Sequence, residues 1–145
     1  MTPVIDHIHI TVEDLDRAEG YYDKLLPLLG FDLSLKERDA VPERQYALVE
    51  YNHRLLSIGL VSPRTAFRSE RVSRRRPGAL HHLAFHADSP EEVDRLYQQV
   101  RDIPSVILHE PGYYPEYCGD YYAFFFKDAE GIEYEIVSFD RAGSL

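Results

Sequence analysis

The chain nearly repeats itself, and this limits what it can fold into more than any other feature. Sliding the sequence by 75 residues lays His7-Ile8-His9-Ile10-Thr11-Val12-Glu13 on His82-Leu83-Ala84-Phe85-His86-Ala87-Asp88 without a gap. The same offset places Ala18 on Val93, Tyr21 on Leu96, Tyr22 on Tyr97 and Leu25 on Val100. A repeat of this kind is one supersecondary unit used twice, and each copy has a surface that it cannot bury alone.

Local signals give the unit its contents. In "SPEE", Ser89 can cap a helix, Pro90 suits its first position and Glu92 can close a capping box, so a helix is predicted to start at Pro90. In the first copy Asp14 is the matching cap, and Leu15, Ala18, Tyr22, Leu25 and Leu29 follow at helical spacing until Gly30. Three stretches of strand character follow each helix. They are "FDLSLKER", "RQYALVEY" and "RLLSIGLV" in the first copy, then "SVILHE", "YYAFFFKD" and "GIEYEIVSF" in the second, with Asp128 to Gly131 as a turn. At 145 residues the expectation is a single α+β domain over residues 1–145. It is built of two βαβββ modules, the first over about residues 1–61 and the second over about 78–140. An Arg-, Ser- and Pro-rich linker spans about 62–77.

Composition removes some partners. A formal net charge of -9 repels phosphate backbones, so no nucleic-acid partner is expected despite the local run "RVSRRRP". That run reads as a solvated connection, or as a basic rim attracting an anionic small molecule. There is no apolar run of bilayer length, and "MTPVIDHIHI" alternates at once rather than forming a leader, so a soluble, cytoplasmic protein with no membrane partner is expected. The single cysteine, Cys118, allows no intrachain disulfide and gives weak support for zinc.

Alternation along strands then sorts the histidines. Ile8, Ile10 and Val12 form one set and His7, His9 and Thr11 the other. Leu83, Phe85 and Ala87 oppose His82, Ala84 and His86, and His81 goes with the apolar set. In the last strand Ile132, Tyr134 and Ile136 oppose Glu133, Glu135 and Val137. Each half thus aims histidines at the face that its helix leaves uncovered, where a carboxylate can join them. Two imidazoles and one carboxylate with positions left open suit Fe(II), Mn(II), Ni(II) or Zn(II); a polar sheet face open to water would need no metal at all.

Three segments, "IDHIHITVEDLDRAEGYYDKLL", "GALHHLAFHADSPEEVDRLY" and "YYAFFFKDAEGIEYEIV", resemble the vicinal oxygen chelate superfamily. That superfamily includes glyoxalase I, bleomycin-resistance proteins, fosfomycin-resistance thiol transferases and type I extradiol dioxygenases. The resemblance implies a cup-shaped mixed sheet with helices on its outer face, and one divalent metal ion held by His7, His82 and Glu135. Ala129 replaces the proline usual in the turn before the carboxylate. His9 and His86 share the ligands' faces and are rivals for them or pocket walls, while His53 and His109 are expected to stand apart. Neither Ser57 nor Gly59 matches the fourth ligand of glyoxalase I. Phe125 stands where extradiol enzymes carry a tyrosine, and no histidine falls at Glu116 to Cys118. The implied activity is that of a metal-dependent lyase, isomerase or thiol-transferase-like enzyme whose metal acts as Lewis acid on a small oxygen-bearing substrate. An extradiol-type dioxygenase and a non-catalytic small-molecule binding protein are the alternatives. His9, His86, Tyr121 and Tyr122 are candidate catalytic groups, and a homodimer is expected.

Overall fold

Asp14 and Ser89 place the two helices. Asp14 Oδ1 accepts the Arg17 amide at 3.0 Å and opens helix α1, Leu15–Leu28. Ser89 Oγ accepts the Glu92 amide at 3.2 Å and opens α2, Pro90–Arg101. The return bond of this second cap differs from the expected capping box: Glu92 Oε2 accepts from the amide of Asp88 at 2.8 Å, one residue before the cap. Gly30, with φ of 93°, supplies the left-handed turn after α1 that a side chain would strain.

The computed structural model describes residues 1 and 3–144, in two compact units, Met1–Arg71 and Val72–Leu145. The first holds β1 (His7–Thr11), β2 (Glu37–Val41), β3 (Tyr46–Asn52) and β4 (Ser57–Val61) in the order β1-β4-β3-β2. The second holds β5 (Leu83–His86), β6 (Val106–Tyr113), β7 (Tyr122–Lys127) and β8 (Glu133–Ser138) in the order β5-β8-β7-β6. In both, the first and last strands pair in parallel and the others antiparallel, so each unit is a mixed four-stranded sheet with one helix. This is the predicted α+β, βαβββ arrangement twice over. Among the described residues no helix is long and apolar enough to cross a membrane.

One strand expectation is corrected. Only Glu37 and Arg38 of "FDLSLKER" are extended in β2; Asp32 accepts the Ser34 amide at 2.9 Å and turns Leu33–Leu35 into a short 3-10 helix. A local side-chain bond outcompetes strand pairing there. Strand β5 also begins one residue later than the histidine pair before it, at Leu83.

In the first unit Ala18, Tyr21, Tyr22, Leu25 and Leu26 of α1 are buried, as are Ile10, Val49, Tyr51, Ile58 and Leu60 of the sheet. A polar clamp fixes the helix. Lys36 Nζ donates to Glu19 Oε1 at 2.8 Å and Asp23 Oδ1 at 2.9 Å, and the buried Tyr51 hydroxyl donates to Asp23 Oδ1 at 2.8 Å. Burial, followed by the Asp23 carboxylate, pushes the Tyr51 hydroxyl far above its ordinary pKa, so it stays a donor. In the second unit Phe126 stacks on Tyr134 and Phe124, while Tyr97 of α2 meets Phe124 edge-on. Val93, Leu96 and Val100 complete the buried side of α2.

On the uncovered face of the first sheet, the register aligns His9, Gly59 and Glu50 on three adjacent strands. The His9 ring crosses Gly59 to place Nε2 3.1 Å from Glu50 Oε1. A Cβ at residue 59 would stand 2.5 Å from His9 Cδ2 and 2.9 Å from Leu48 Cδ1, so only glycine leaves the ring its place.

Two outcomes follow from these contacts. Gly59→Ala should cost about 1–3 kcal/mol by overpacking and uncouple His9 from Glu50. In the parent protein Glu50→Gln should shift the His9 imidazole signal in NMR, whereas in Gly59→Ala it should leave that signal unmoved. At the second cap, Ser89→Ala should cost about 1 kcal/mol in urea unfolding. The amide of Asp88, ahead of the Arg95 guanidinium, holds Glu92 below its ordinary value of 4.5. A carboxylate whose folded pKa is depressed stabilises above the unfolded value and ceases to do so as pH falls through the folded one. Glu92→Gln should therefore flatten this contribution below about pH 4.5, and unfolding midpoints compared at neutral and acid pH will show it.

Candidate metal centre

The uncovered face of the second sheet carries a row of register partners, Ala84, Glu135, Phe125 and His109, across β5, β8, β7 and β6. Glu135 is only 3 % exposed. Its two oxygens have different partners. The Tyr121 hydroxyl donates to Oε1 at 2.5 Å, and His82 Nε2 stands 3.5 Å from Oε2. Burial pushes the Glu135 carboxyl upward in pKa, against the pull of the Tyr121 bond and His82. Burial and the carboxylate together push the Tyr121 hydroxyl far above the ordinary phenol range, so it remains protonated as a donor. Tyr121 is held by stacking on Phe139, with ring centroids 5.0 Å apart, and by Tyr117 edge-on at 5.1 Å.

These residues fit a divalent ion. Two ligands at 2.0–2.2 Å from one tetrahedral ion lie roughly 3.4 Å from each other, which is the gap found between His82 Nε2 and Glu135 Oε2. The donor set, one imidazole and one carboxylate, is of the kind that Zn(II), Fe(II), Mn(II) and Ni(II) accept. Within either unit, no three described His, Cys, Asp or Glu side chains converge into a metal-binding group, so the second unit presents a pair of donors.

Behind His82 lies a chain of contacts. Its Nδ1 is 2.7 Å from His81 Nδ1, and Arg74 Nη1 lies 3.3 and 3.2 Å from the two ring nitrogens of His81. Arg74 also pairs with Glu133 at 3.0 Å. Partial desolvation, then the Arg74 charge, holds His81 below the ordinary histidine pKa. Alternation sends His81 away from His82, but it acts only inside a strand, and the strand begins at Leu83. The "RVSRRRP" run, read as a solvated connection, accordingly contributes one arginine to this cluster.

The other predicted site residues have partners of their own within each unit. In the first unit His7 Nδ1 is 2.8 Å from Asp6 Oδ1, which leaves Nε2 unengaged by that contact; its ring lies 4.9 Å from that of His9, whose partner is Glu50. His86 is exposed beside Phe139, with centroids 6.0 Å apart. Tyr122 lies away from Glu135: it pairs in register with Ser138 and donates to Asp94 Oδ1 of α2 at 2.8 Å, with burial and that carboxylate pushing its pKa up to about 12. His53 accepts the Leu55 amide in the β3–β4 turn. His109 sits within β6 with its ring 5.7 Å from Phe125, in the register row of Glu135. Parity from Phe125 and the bulged pairing of β6 would both be needed to find it.

Sequence and structure comparisons agree on one superfamily. A 2,2',3-trihydroxybiphenyl dioxygenase from Sphingomonas paucimobilis is 26 % identical over 133 residues, covering 91 % of this chain; the chain spans 40 % of the length of that enzyme. A provisionally assigned glyoxalase from Bacillus halodurans superposes with a TM-score of 0.73 at 28 % identity, covering 95 % of this chain and 97 % of its own. A glyoxylase/bleomycin resistance protein/dioxygenase domain from Frankia sp. EAN1pec gives a TM-score of 0.74 at 21 % identity, with 95 % and 98 % covered, a likeness of fold. Residues 4–136, which run from ahead of β1 into β8 and include the His82–Glu135 pair, match the family model, and the chain belongs to the Glyoxalase/Bleomycin resistance protein/Dioxygenase superfamily.

Proposed function

We propose that the protein is a divalent-metal-dependent enzyme acting on a small oxygen-bearing molecule, with His7, His82 and Glu135 as the metal ligands. One observation carries this reading: a buried carboxylate with an imidazole nitrogen at ion-sharing distance. A carboxylate so placed gains from a cation that both groups can bind. Members of the superfamily generally use a metal, bind small-molecule substrates and often form dimers. When bound, the metal supplies Lewis acidity to adjacent oxygens of the substrate. Tyr121 keeps Oε1 occupied and so orients the carboxylate, leaving Oε2 toward His82. His7 completes the set from the first unit of the same chain or of a second chain in a homodimer. The two units then act as modules of one domain, and the protein works in the cytoplasm.

The dioxygenase relative favours a second reading, ring cleavage of a catechol-type substrate. Phe125 in place of a tyrosine argues for lyase, isomerase or transferase chemistry, and His109 beside it is the group that ring cleavage would have available.

The purified protein should bind one Zn²⁺, Fe²⁺, Mn²⁺ or Ni²⁺ per chain by metal analysis. His82→Ala and Glu135→Ala should each weaken binding by more than the roughly 10–100-fold that outer-shell changes cause, with the circular dichroism spectrum retained. His7→Ala should do the same. Wild-type protein that takes up none of these metals would sink the proposal. Oxygen uptake with catechols by the Fe²⁺-loaded protein decides between the two activities, ring cleavage requiring it and the Lewis-acid reading predicting none.

A further inference from the structure

We propose that the loop over residues 73–79 is an anion-recruiting rim, and that the substrate of the His82–Glu135 centre carries a carboxylate or phosphate group besides the oxygens it offers to a metal. The substrate claim rests on the reading of His82 and Glu135 as metal ligands. The loop presents Arg74, Arg75 and Arg76 in succession. They stand out in an acidic setting, for the other basic side chains of the second unit, Arg95, Arg101, Lys127 and Arg141, are outnumbered by thirteen Asp and Glu. Arg74 pairs with one of these, Glu133, at 3.0 Å. Arg75 and Arg76 are exposed and have no carboxylate partner among the described residues.

Hydrogen bonds fold the loop. The Arg76 amide donates to the Ser73 carbonyl at 2.9 Å, the Arg75 amide to Ser73 Oγ at 3.3 Å and the Ala79 amide to the Arg76 carbonyl at 3.1 Å. Arg74 and Arg75 are the central residues of the first turn, and Gly78, with φ of 84°, takes the left-handed conformation in the second. Arg74 ties the loop to the uncovered face of the sheet, because Glu133 lies two residues from Glu135 on β8 and shares its side. Its Nη1 also lies 3.2 Å from His81 Nε2, and His81 touches His82. Arg75 follows closely enough for its charge to be felt at the His81 ring. The cationic loop thus borders the pair of donors proposed for the metal.

Guanidinium groups take carboxylate and phosphate oxygens through paired N–H donors. A long polyanion laid over the loop would meet the acidic remainder of the unit and be repelled by it, whereas a small anion meets the loop alone. The occupant is therefore a small molecule. A charge of this kind raises its concentration at the centre and turns its anionic end to the loop, which leaves its other oxygens toward His82 and Glu135.

The test uses the full chain. Metal-free protein is titrated with inorganic phosphate and with acetate at low and high salt, and NMR follows the amides of residues 73–79 and the Nε–H signals of Arg75 and Arg76. At low salt either or both anions should shift these signals, naming the group that the rim takes, and the shifts should shrink at high salt as screening shortens the reach of the charges. No movement with either anion overturns the proposal, as does saturable binding of a short DNA duplex to the loop. In Zn²⁺-loaded protein, 3,4-dihydroxybenzoate should bind about tenfold more tightly than catechol in isothermal titration calorimetry, the two differing by one carboxylate. The double variant Arg75→Glu/Arg76→Glu should erase that advantage with catechol affinity and the circular dichroism spectrum retained, and Arg75→Gln/Arg76→Gln should fall between. An advantage that survives the Glu variant overturns the proposal. Should catechol or Zn²⁺ itself fail to bind, the metal reading fails and the substrate claim with it, while the phosphate and acetate titrations still decide the rim.

Discussion

A carboxylate almost withdrawn from water on a strand interior needs donors or a cation around it, and much of the second unit is disposed to meet that need of Glu135. The segment between β6 and β7 returns as a row of tyrosines, so that Tyr121 can give its hydroxyl to one oxygen. The residues before β5 turn His82 toward the other. Even the connection from the first unit is drawn in, since Arg74 neutralises Glu133, the neighbouring carboxylate that would otherwise repel Glu135. Loop, strand and linker are tied to one buried charge.

The helix-facing sides of the two sheets share a different device. In each unit a strand tyrosine gives its hydroxyl to an aspartate on the helix: Tyr51 to Asp23 in the first, Tyr122 to Asp94 in the second. Lys36 adds charge to the first clamp, and Tyr97 reaches from α2 to Glu110 in the second. Apolar packing brings helix and sheet together without direction; these hydrogen bonds give each helix a definite position on its sheet. Adjacent tyrosines thereby take opposite tasks, Tyr121 beside the buried carboxylate and Tyr122 on the helix side.

The parts of the molecule governed by local rules were legible in the sequence. Caps at Asp14 and Ser89, the left-handed Gly30 and the strand parity of His7, His9 and Glu135 depend on a few neighbouring residues, and the repeat doubled the cap signal. Where a local rule competes with another, or stops, it misled. Asp32 turns its own segment into a 3-10 helix before strand pairing can claim it. His81 escapes alternation because it precedes the strand by two residues. The placing of Arg74 on Glu133 joins positions far apart in sequence, and no spacing announces it. Tyr121 and Tyr122 were indistinguishable until the register of β7 against β8 separated their faces.

Gly59 has a consequence for how this chain could have diverged from others with the same architecture. Residue 59 is the floor under the His9 ring, and a Cβ added there would collide with that ring. A side chain at residue 59 and the His9–Glu50 pair exclude one another. A larger residue at this position of β4 therefore asks the His9 ring to swing aside and give up Glu50, so that the identity of residue 59 and the orientation of His9 are coupled rather than independent.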